Sequence, residues 1–425
     1  MKKTVFLIFF ICFSFVFSNC YSQSVYKKTE IIKTAKGFEL LHNGEPYYVR
    51  GAGGDNHLKE LANIGGNSIR TWTINNGQAV LDSAHKNGLT VCMGLWVSHE
   101  RHGFDYNDEY SVLAQLKGFE EAILKLKDHP ALLMWAVGNE VDLFYSNFRV
   151  WNAVEDIAKL IKKLDPNHPI MTVTAGIDVS EVYMIKNYCP SIDVLGINTY
   201  GGIGGLSDQV NKYGWEKPYM VTEWGPYGHW ESPTTSWGVS VEANSSEKAK
   251  MRFDGYKHIQ KDSELCLGSY AFLWGQKQEQ TPTWYGIFTE DGKSTESVDV
   301  LNSYWAKNKS KNKAPLISSF LLNEKDKYKS IKVKKRENLN FKIQTTDFEK
   351  DSLTYTYELM AESTDKKAGG DFESKGGLLD FKILEKTSNN IKIKAPYRSG
   401  AYRFYIYISD GKNNVATANI PFYVK

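Results

Sequence analysis

The chain has 425 residues, 42% hydrophobic and 24% charged, with a net charge of +3. That length exceeds one ordinary core and predicts two domains, and so small a net charge excludes a nucleic-acid partner held through a basic face. Aromatic residues stand out at 13%, with 11 Trp and 25 Tyr. Large rings fill cores, but their flat apolar faces are also what a sugar ring stacks on.

Lys2 and Lys3 precede an apolar stretch over 5–17, after which small and polar residues follow. This pattern predicts an export signal over residues 1–22 and a periplasmic, outer-membrane-associated or secreted location. The stretch is too short to favour a permanent membrane span. Phe17-Ser18-Asn19-Cys20 is a loose match to a lipobox, with an unusual Asn19 before the cysteine, so lipidation of Cys20 and membrane attachment through it stay open. Beyond the leader only Cys92, Cys189 and Cys266 remain, an odd number at wide spacing that argues against a disulfide framework.

Residues 26–308 are predicted to form one domain. Gly37-Phe38-Glu39-Leu40-Leu41 and Tyr47-Tyr48-Val49-Arg50 flank Asn43-Gly44, which reads as a hairpin closing the bottom of that domain. From there, short apolar runs alternate with amphipathic stretches, with strands expected near 47–53, 67–72, 90–96, 132–138, 170–175, 193–199, 218–223 and 269–274. Between them, Trp151, Val154, Ile157, Ile161 and Leu164 recur at helical spacing before Asp165-Pro166, and Val298, Leu301 and Trp305 share a face of the last helix. Such βα units predict an α/β (β/α)8 TIM barrel, which needs about 250 residues.

A Lys/Asn-rich linker over 306–315 then leads to a region of period two. Leu353, Tyr355, Tyr357 and Leu359 alternate with polar residues, as do Tyr402, Phe404, Ile406 and Ile408. Residues 314–425 are therefore expected to be an immunoglobulin-like β-sandwich without a Cys pair. It reads as a spacer or packing partner. The alternative, a glycan-binding accessory, rests only on Tyr405 and Tyr407 pointing outward. Asp347, Glu349 and Asp351 offer a calcium-binding alternative, but such an acidic turn is usually just solvated.

Two glutamates carry the chemistry. Glu140 follows the run Leu132-Leu133-Met134-Trp135-Ala136-Val137-Gly138-Asn139, and Glu223 follows Tyr219-Met220-Val221-Thr222. Function in a (β/α)8 barrel sits at the C-terminal ends of the strands, and both fall there, on strands four and seven. Two carboxylates facing each other across about 5 Å are what a retaining glycosidase needs, one as acid/base and one as nucleophile. Glu140 is assigned as the acid/base and Glu223 as the nucleophile. Asn139 is placed to bond a sugar 2-hydroxyl, Arg70 and Tyr200 to donate to Glu223, and Trp274 to floor the bound sugar. Trp72, Trp96, His99, His102, Tyr227, His229, Trp230 and Trp284 follow strand ends or lie in the loops beyond, and about half are expected to touch sugar. The segment 224–237, opened by Trp224 and holding three tryptophans, reads as an active-site loop. The cluster His99-Glu100-Arg101-His102 lacks the spacing that places two metal ligands on one helical face, so neither a metal nor a cofactor is assigned.

Trp135-Ala136-Val137-Gly138-Asn139-Glu140 and Val221-Thr222-Glu223-Trp224-Gly225 resemble the acid/base and nucleophile motifs of clan A glycoside hydrolases, which are retaining (β/α)8 enzymes. Leu267-Gly268-Ser269-Tyr270-Ala271-Phe272-Leu273-Trp274-Gly275-Gln276-Lys277, continuing as Thr281-Pro282-Thr283-Trp284-Tyr285-Gly286, is similar to glycoside hydrolase family 158, endo-β-1,3-glucanases of Bacteroidetes-type glucan-degrading systems. The resemblance implies a laminarin-like β-glucan polysaccharide or oligosaccharide as partner and supports the roles given to Glu140 and Glu223. A monomer is expected. Other clan A specificities stay open, namely a mannanase, an exo-acting β-glycosidase or a transglycosylase. So does a different class, a catalytically silent glycan-binding lipoprotein, although pure binding requires no acid/base pair.

Overall fold

The computed structural model describes residues 29–306 and 310–425; the predicted leader and Cys20 lie outside the described residues. Eight parallel strands close into a barrel: β4 (Val49–Gly53), β5 (Ser68–Arg70), β6 (Thr90–Leu95), β7 (Leu132–Val137), β8 (Ile170–Ala175), β9 (Val194–Asn198), β10 (Tyr219–Trp224) and β11 (Cys266–Ala271). They are preceded by β1 (Thr29–Thr34), β2 (Gly37–His42) and β3 (Glu45–Pro46). Every residue of β6, β7, β10 and β11 is buried. Helices cover one face and interior side chains fill the other, which is why these strands read as unbroken apolar runs.

The covering helices are α1 (Leu58–Asn63), α2 (Gly77–Lys86), α3 (Glu109–Leu126), α4 (Arg149–Leu164), α5 (Val179–Tyr188), α6 (Leu206–Lys212), α7 (Ser245–Ile259) and α8 (Glu296–Trp305). On α4, Trp151, Val154, Ile157 and Ile161 bury one stripe against the barrel. Asp178 and Asn244 start α5 and α7 with capping boxes, each worth about 1 kcal/mol.

The predicted hairpin is one part of a three-stranded sheet, β1-β2-β3. Its Ile31, Phe38 and Leu40 pack with Tyr47 against Val49, Leu133, Met134, Met220 and Leu267, stopping the base of the barrel. The eighth strand is displaced from expectation, running Cys266–Ala271 rather than 269–274. Gly268 has φ +128, and a Cβ there would meet the Val49 carbonyl at 2.3 Å. Only glycine lets the chain pass so close to β4, and in the sequence that same glycine reads as a break before the strand.

Among the described residues, the C-terminal region holds nine strands: β12 (Leu316–Leu322), β13 (Lys332–Val333), β14 (Asn338–Thr346), β15 (Thr354–Ala361), β16 (Leu378–Leu379), β17 (Ile383–Lys386), β18 (Asn390–Lys394), β19 (Gly400–Ser409) and β20 (Val415–Val424). They form a four-stranded sheet, β12-β14-β18-β17, and a five-stranded sheet, β13-β20-β19-β15-β16. Phe341 of one sheet stacks on Phe404 of the other at 4.0 Å, at the centre of a shared apolar core.

The outer face of β19 and β20 is covered by the barrel. Arg403 donates to the Ser240 carbonyl at 2.9 Å, and the Thr417 amide donates to Ser245 at 3.0 Å. Asn419 donates to Glu242, which also accepts from Lys248, Thr281 and Thr283. The outward reading of Tyr405 and Tyr407 is thus corrected. Tyr405 is buried, and half-buried Tyr407 commits its hydroxyl to Glu358 at 3.0 Å. Polar alternation marked this face as outside the sandwich core, but it meets protein rather than water.

Candidate active site

Glu140 stands just beyond β7. Gly138 (φ +76) and Glu140 itself (φ 51) turn the chain sharply at the strand end, and the Glu140 amide is held by the Val173 carbonyl at 2.8 Å. Asn198, the last residue of β9, donates to Glu140 Oε1 at 2.8 Å. Burial and then the charge of Glu223 push the Glu140 carboxyl up to about 7, against the opposing pull of Asn198 and Arg70. A carboxyl with that value carries its proton near neutrality, as a general acid must.

Glu223 lies within β10, and its surroundings are the opposite. Three donors converge on it: Arg70 Nη1 at 3.0 Å and Trp72 Nε1 at 2.8 Å on Oε1, and the Tyr200 hydroxyl at 2.9 Å on Oε2. Burial and then Glu223 itself hold the Tyr200 hydroxyl protonated far above its ordinary range, so it remains a donor. Charge-assisted and neutral donors of this kind aim both Glu223 oxygens.

Arg70 joins the two glutamate stations. Its other arm, Nη2, donates to Asn139 Oδ1 at 2.6 Å, where Asn198 Nδ2 also arrives at 3.2 Å. With Oδ1 taken by two donors, the Asn139 amide nitrogen is the end left for a ligand. Asn198 was not singled out from the sequence. Its signal was its place at the end of a barrel strand, two residues before Tyr200. Asp142 was missed too. It sits behind Glu140, accepts from the Ala175 amide at 2.9 Å, and is pushed up to about 8 by burial and by Glu140.

Both glutamates open into one cavity of about 860 Å³ at the barrel mouth. Trp72, Asn139, Tyr200 and Trp230 of the predicted set line it, together with Trp96 and His229. Trp230 is 62% exposed and packs edge-on against Tyr200. Phe272 and Leu273 form the wall where Trp274 was expected.

Four predicted contacts do not reach the cleft. Trp274 lies past the true end of β11, wholly buried, with its indole donating to the His57 carbonyl. Trp224 points outward from β10 and stacks on Tyr256 of α7. Trp284 packs beneath Tyr200 and Phe272 and donates to the Tyr227 carbonyl at 3.0 Å. His99 is buried, accepts from Arg101 at 2.6 Å and sits against Trp96. Burial, then the Arg101 charge, pushes His99 down to about 4, so it is a neutral acceptor that positions Arg101.

The sandwich contributes to the same cavity. The 362–377 connection between β15 and β16 reaches the barrel mouth, where Ala368, Gly369, Gly370 and Asp371 line the cleft. The sandwich is thus more than a packing partner, since it also lines the cleft. By contrast, the Asp347, Glu349 and Asp351 turn lies elsewhere on the sandwich, and Asp351 pairs with Lys412 at 2.7 Å.

The cleft is acidic. Glu140, Asp178, Glu181, Glu223, Glu231, Glu279 and Asp371 line it, whereas Lys277 is the one lysine or arginine among the described lining residues. Lys277 is committed to Glu279 at 3.0 Å and to the Gly370 carbonyl.

Residues 57–235 match the family model described as glycosyl hydrolases family 2, TIM barrel domain. The β-glucuronidase of Chlorocebus aethiops is 23% identical over 308 residues, covering 63% of this chain and 45% of that protein. The β-glucuronidase of Homo sapiens is 22% identical over 310 residues, with the same coverage. The chain therefore spans less than half the length of these relatives. Among solved structures, the FMN-binding β-glucuronidase from Facaelibacterium prausnitzii L2-6 superposes with a TM-score of 0.52 at 15% identity, covering 94% of this chain and 59% of that one. The β-glucuronidase from Ruminococcus gnavus does so with a TM-score of 0.50 at 16% identity, covering 66% and 52%. These superpositions speak to fold alone. The match over residues 57–235 points to family 2 rather than to the family 158 resemblance read from the strand-end segments.

Proposed function

We propose that this protein is a retaining β-glycosidase that cuts a neutral β-glucan by double displacement. The observation that carries this reading is the contrast between two carboxyls in one cleft. Glu140 is pushed up to about 7 with one side-chain donor on it, while Glu223 is braced by three. In the first step Glu223 attacks the anomeric carbon as Glu140 gives its proton to the departing oxygen. In the second, Glu140 takes a proton from water, which displaces Glu223 from the sugar. Asn139, with its oxygen pinned, offers its amide to the 2-hydroxyl as charge develops on the ring.

The names of the curated relatives favour a second reading, β-glucuronidase. The acidic cleft argues against it. A uronate would meet like charges, and the one lining lysine is already paired with Glu279. Like charges brought together disfavour an anion. A neutral glucan pays no such penalty. The choice of β-1,3 linkage rests on the resemblance of the 267–286 segment, and internal cutting is supported by the exposed aromatics at the cleft rim. Export by the leader, an immunoglobulin-like class for the sandwich and a monomeric state belong to the same proposal.

Purified protein incubated with laminarin, mixed-linkage glucan, mannan and 4-nitrophenyl β-glucuronide separates the readings. Release of mixed-length oligosaccharides from laminarin is expected, and turnover of the glucuronide alone would reject the glucan assignment. Glu223→Ala with azide should yield a glycosyl azide of inverted configuration; an unaltered product with residual normal activity would remove the nucleophile assignment.

A further inference from the structure

Two elements from different domains line the same cleft. One is the 366–373 stretch of the sandwich. Its Asp371 is held by His102 Nε2 at 2.9 Å and by Arg101 at 3.4 Å, and the Gly369 carbonyl accepts from Arg101 at 3.3 Å. Buried Glu373 pins its far end by accepting from the Gln280 amide at 2.6 Å and the Lys367 amide at 2.9 Å. Gly369 has φ +63, and a Cβ there would fall 2.8 Å from Arg101 and 3.0 Å from the Leu143 side chain. A side chain there would have to push the Arg101 guanidinium aside. The loop is a built part of the mouth.

The other element is Phe144 of the barrel, next in sequence to Leu143. It lines the cleft, is 65% exposed and has a left-handed backbone at φ 63. That conformation is unfavourable for a bulky residue, and such strain clusters at ligand clamps. An aromatic face held at that cost and left open to the cleft suits a flat apolar partner.

We propose that Phe144 and the Gly369–Asp371 backbone form an additional subsite for a neutral glycosyl unit beyond the one being cleaved. The ring takes the apolar face of the sugar, and the loop's peptide groups meet its hydroxyls. The sandwich domain thereby selects for chain length. The inference rests on the neutral-glycan reading above and deepens it.

The test is kcat/KM on β-1,3-gluco-oligosaccharides of increasing length and on an aryl β-glucoside, for wild type, Phe144→Ala, Phe144→Trp and Asp371→Ala. Wild type gains with each added unit up to the subsite. In Phe144→Ala and Asp371→Ala, the ratio of kcat/KM on the longest substrate to that on the aryl glycoside falls about tenfold, through KM rather than kcat. Phe144→Trp keeps the wild-type ratio. Thermal midpoints within a few degrees of wild type separate this loss from misfolding. An unchanged ratio in both alanine variants overturns the subsite while leaving the glucanase reading intact. A wild type that gains nothing with length overturns both. Preference for another neutral backbone overturns the glucan assignment alone, and the length series of that backbone then decides the subsite by the same ratio.

Discussion

Asn198 donates one amide group to Glu140 Oε1 at 2.8 Å and to Asn139 Oδ1 at 3.2 Å, so a single side chain sets both the acid and the residue beside it. Thr222 fixes that amide in turn, donating to Asn198 Oδ1 at 2.8 Å. A donor to a carboxylate favours its charged form, and its loss must raise the carboxyl further. In Asn198→Ala, the alkaline limb of the pH–rate profile is expected to move to higher pH, with kcat lowered about 10- to 100-fold by the misplaced acid. Rates measured from pH 5 to 9 check this; a limb that moves to lower pH contradicts it.

Glu140 also makes stability depend on pH. Its folded value of about 7 lies above that of an unfolded glutamate, so between the two values the folded state holds a proton that the unfolded state has released. Stability therefore falls as pH rises through this window. Glu140→Gln removes the dependence, and its thermal midpoint is expected to exceed that of wild type by more at pH 8 than at pH 5. Calorimetry at the two pH values decides it.

Arg70 ties Glu223 to Asn139 from a fully buried position. Arg70→Met strands a buried carboxylate, a change that costs about 3–5 kcal/mol. Denaturant titration should show that loss, and kcat should fall with it as the nucleophile loses its aim. Arg70→Lys restores charge but not the two-armed reach, so it is expected to recover little activity.

A second buried pair, Glu242 and Lys248, lies where the sandwich meets the barrel. Burial alone would raise the Glu242 carboxyl, but Lys248 and Arg403 outweigh it and hold it below its usual value. Asn419 brings β20 into the same cluster. Glu242→Ala leaves Lys248 uncompensated and is expected to cost about 3–5 kcal/mol, whereas Glu242→Leu with Lys248→Met costs less. Paired denaturation curves of the two variants give the ordering.

The barrel was legible because burial on both faces leaves no ambiguity in runs such as Leu132–Val137. The pair Glu140 and Glu223, with Arg70, Trp72, Asn139 and Tyr200 around it, was legible for the same reason, since strand ends locate the mouth. A shift of one strand then displaced Trp274 from its expected role. Trp224 and Trp284 failed differently: being aromatic and near the site says nothing about which way a ring points. The Ala368–Asp371 wall was beyond sequence reasoning altogether. Its two glycines and polar flanks describe a solvated turn, and only tertiary docking on Arg101, His102 and Lys277 makes it part of the cleft.

The small sheet beneath the barrel has an effect at the opposite end. A tube open at both ends would admit bulk solvent along its axis and bathe the back of Arg70 in a medium of high dielectric constant. Stoppered by Phe38 and Leu40, the axis is filled by Met134, Met220 and Tyr270. Arg70 therefore stands on a dry packed core, where its charge is screened less than it would be above bulk solvent.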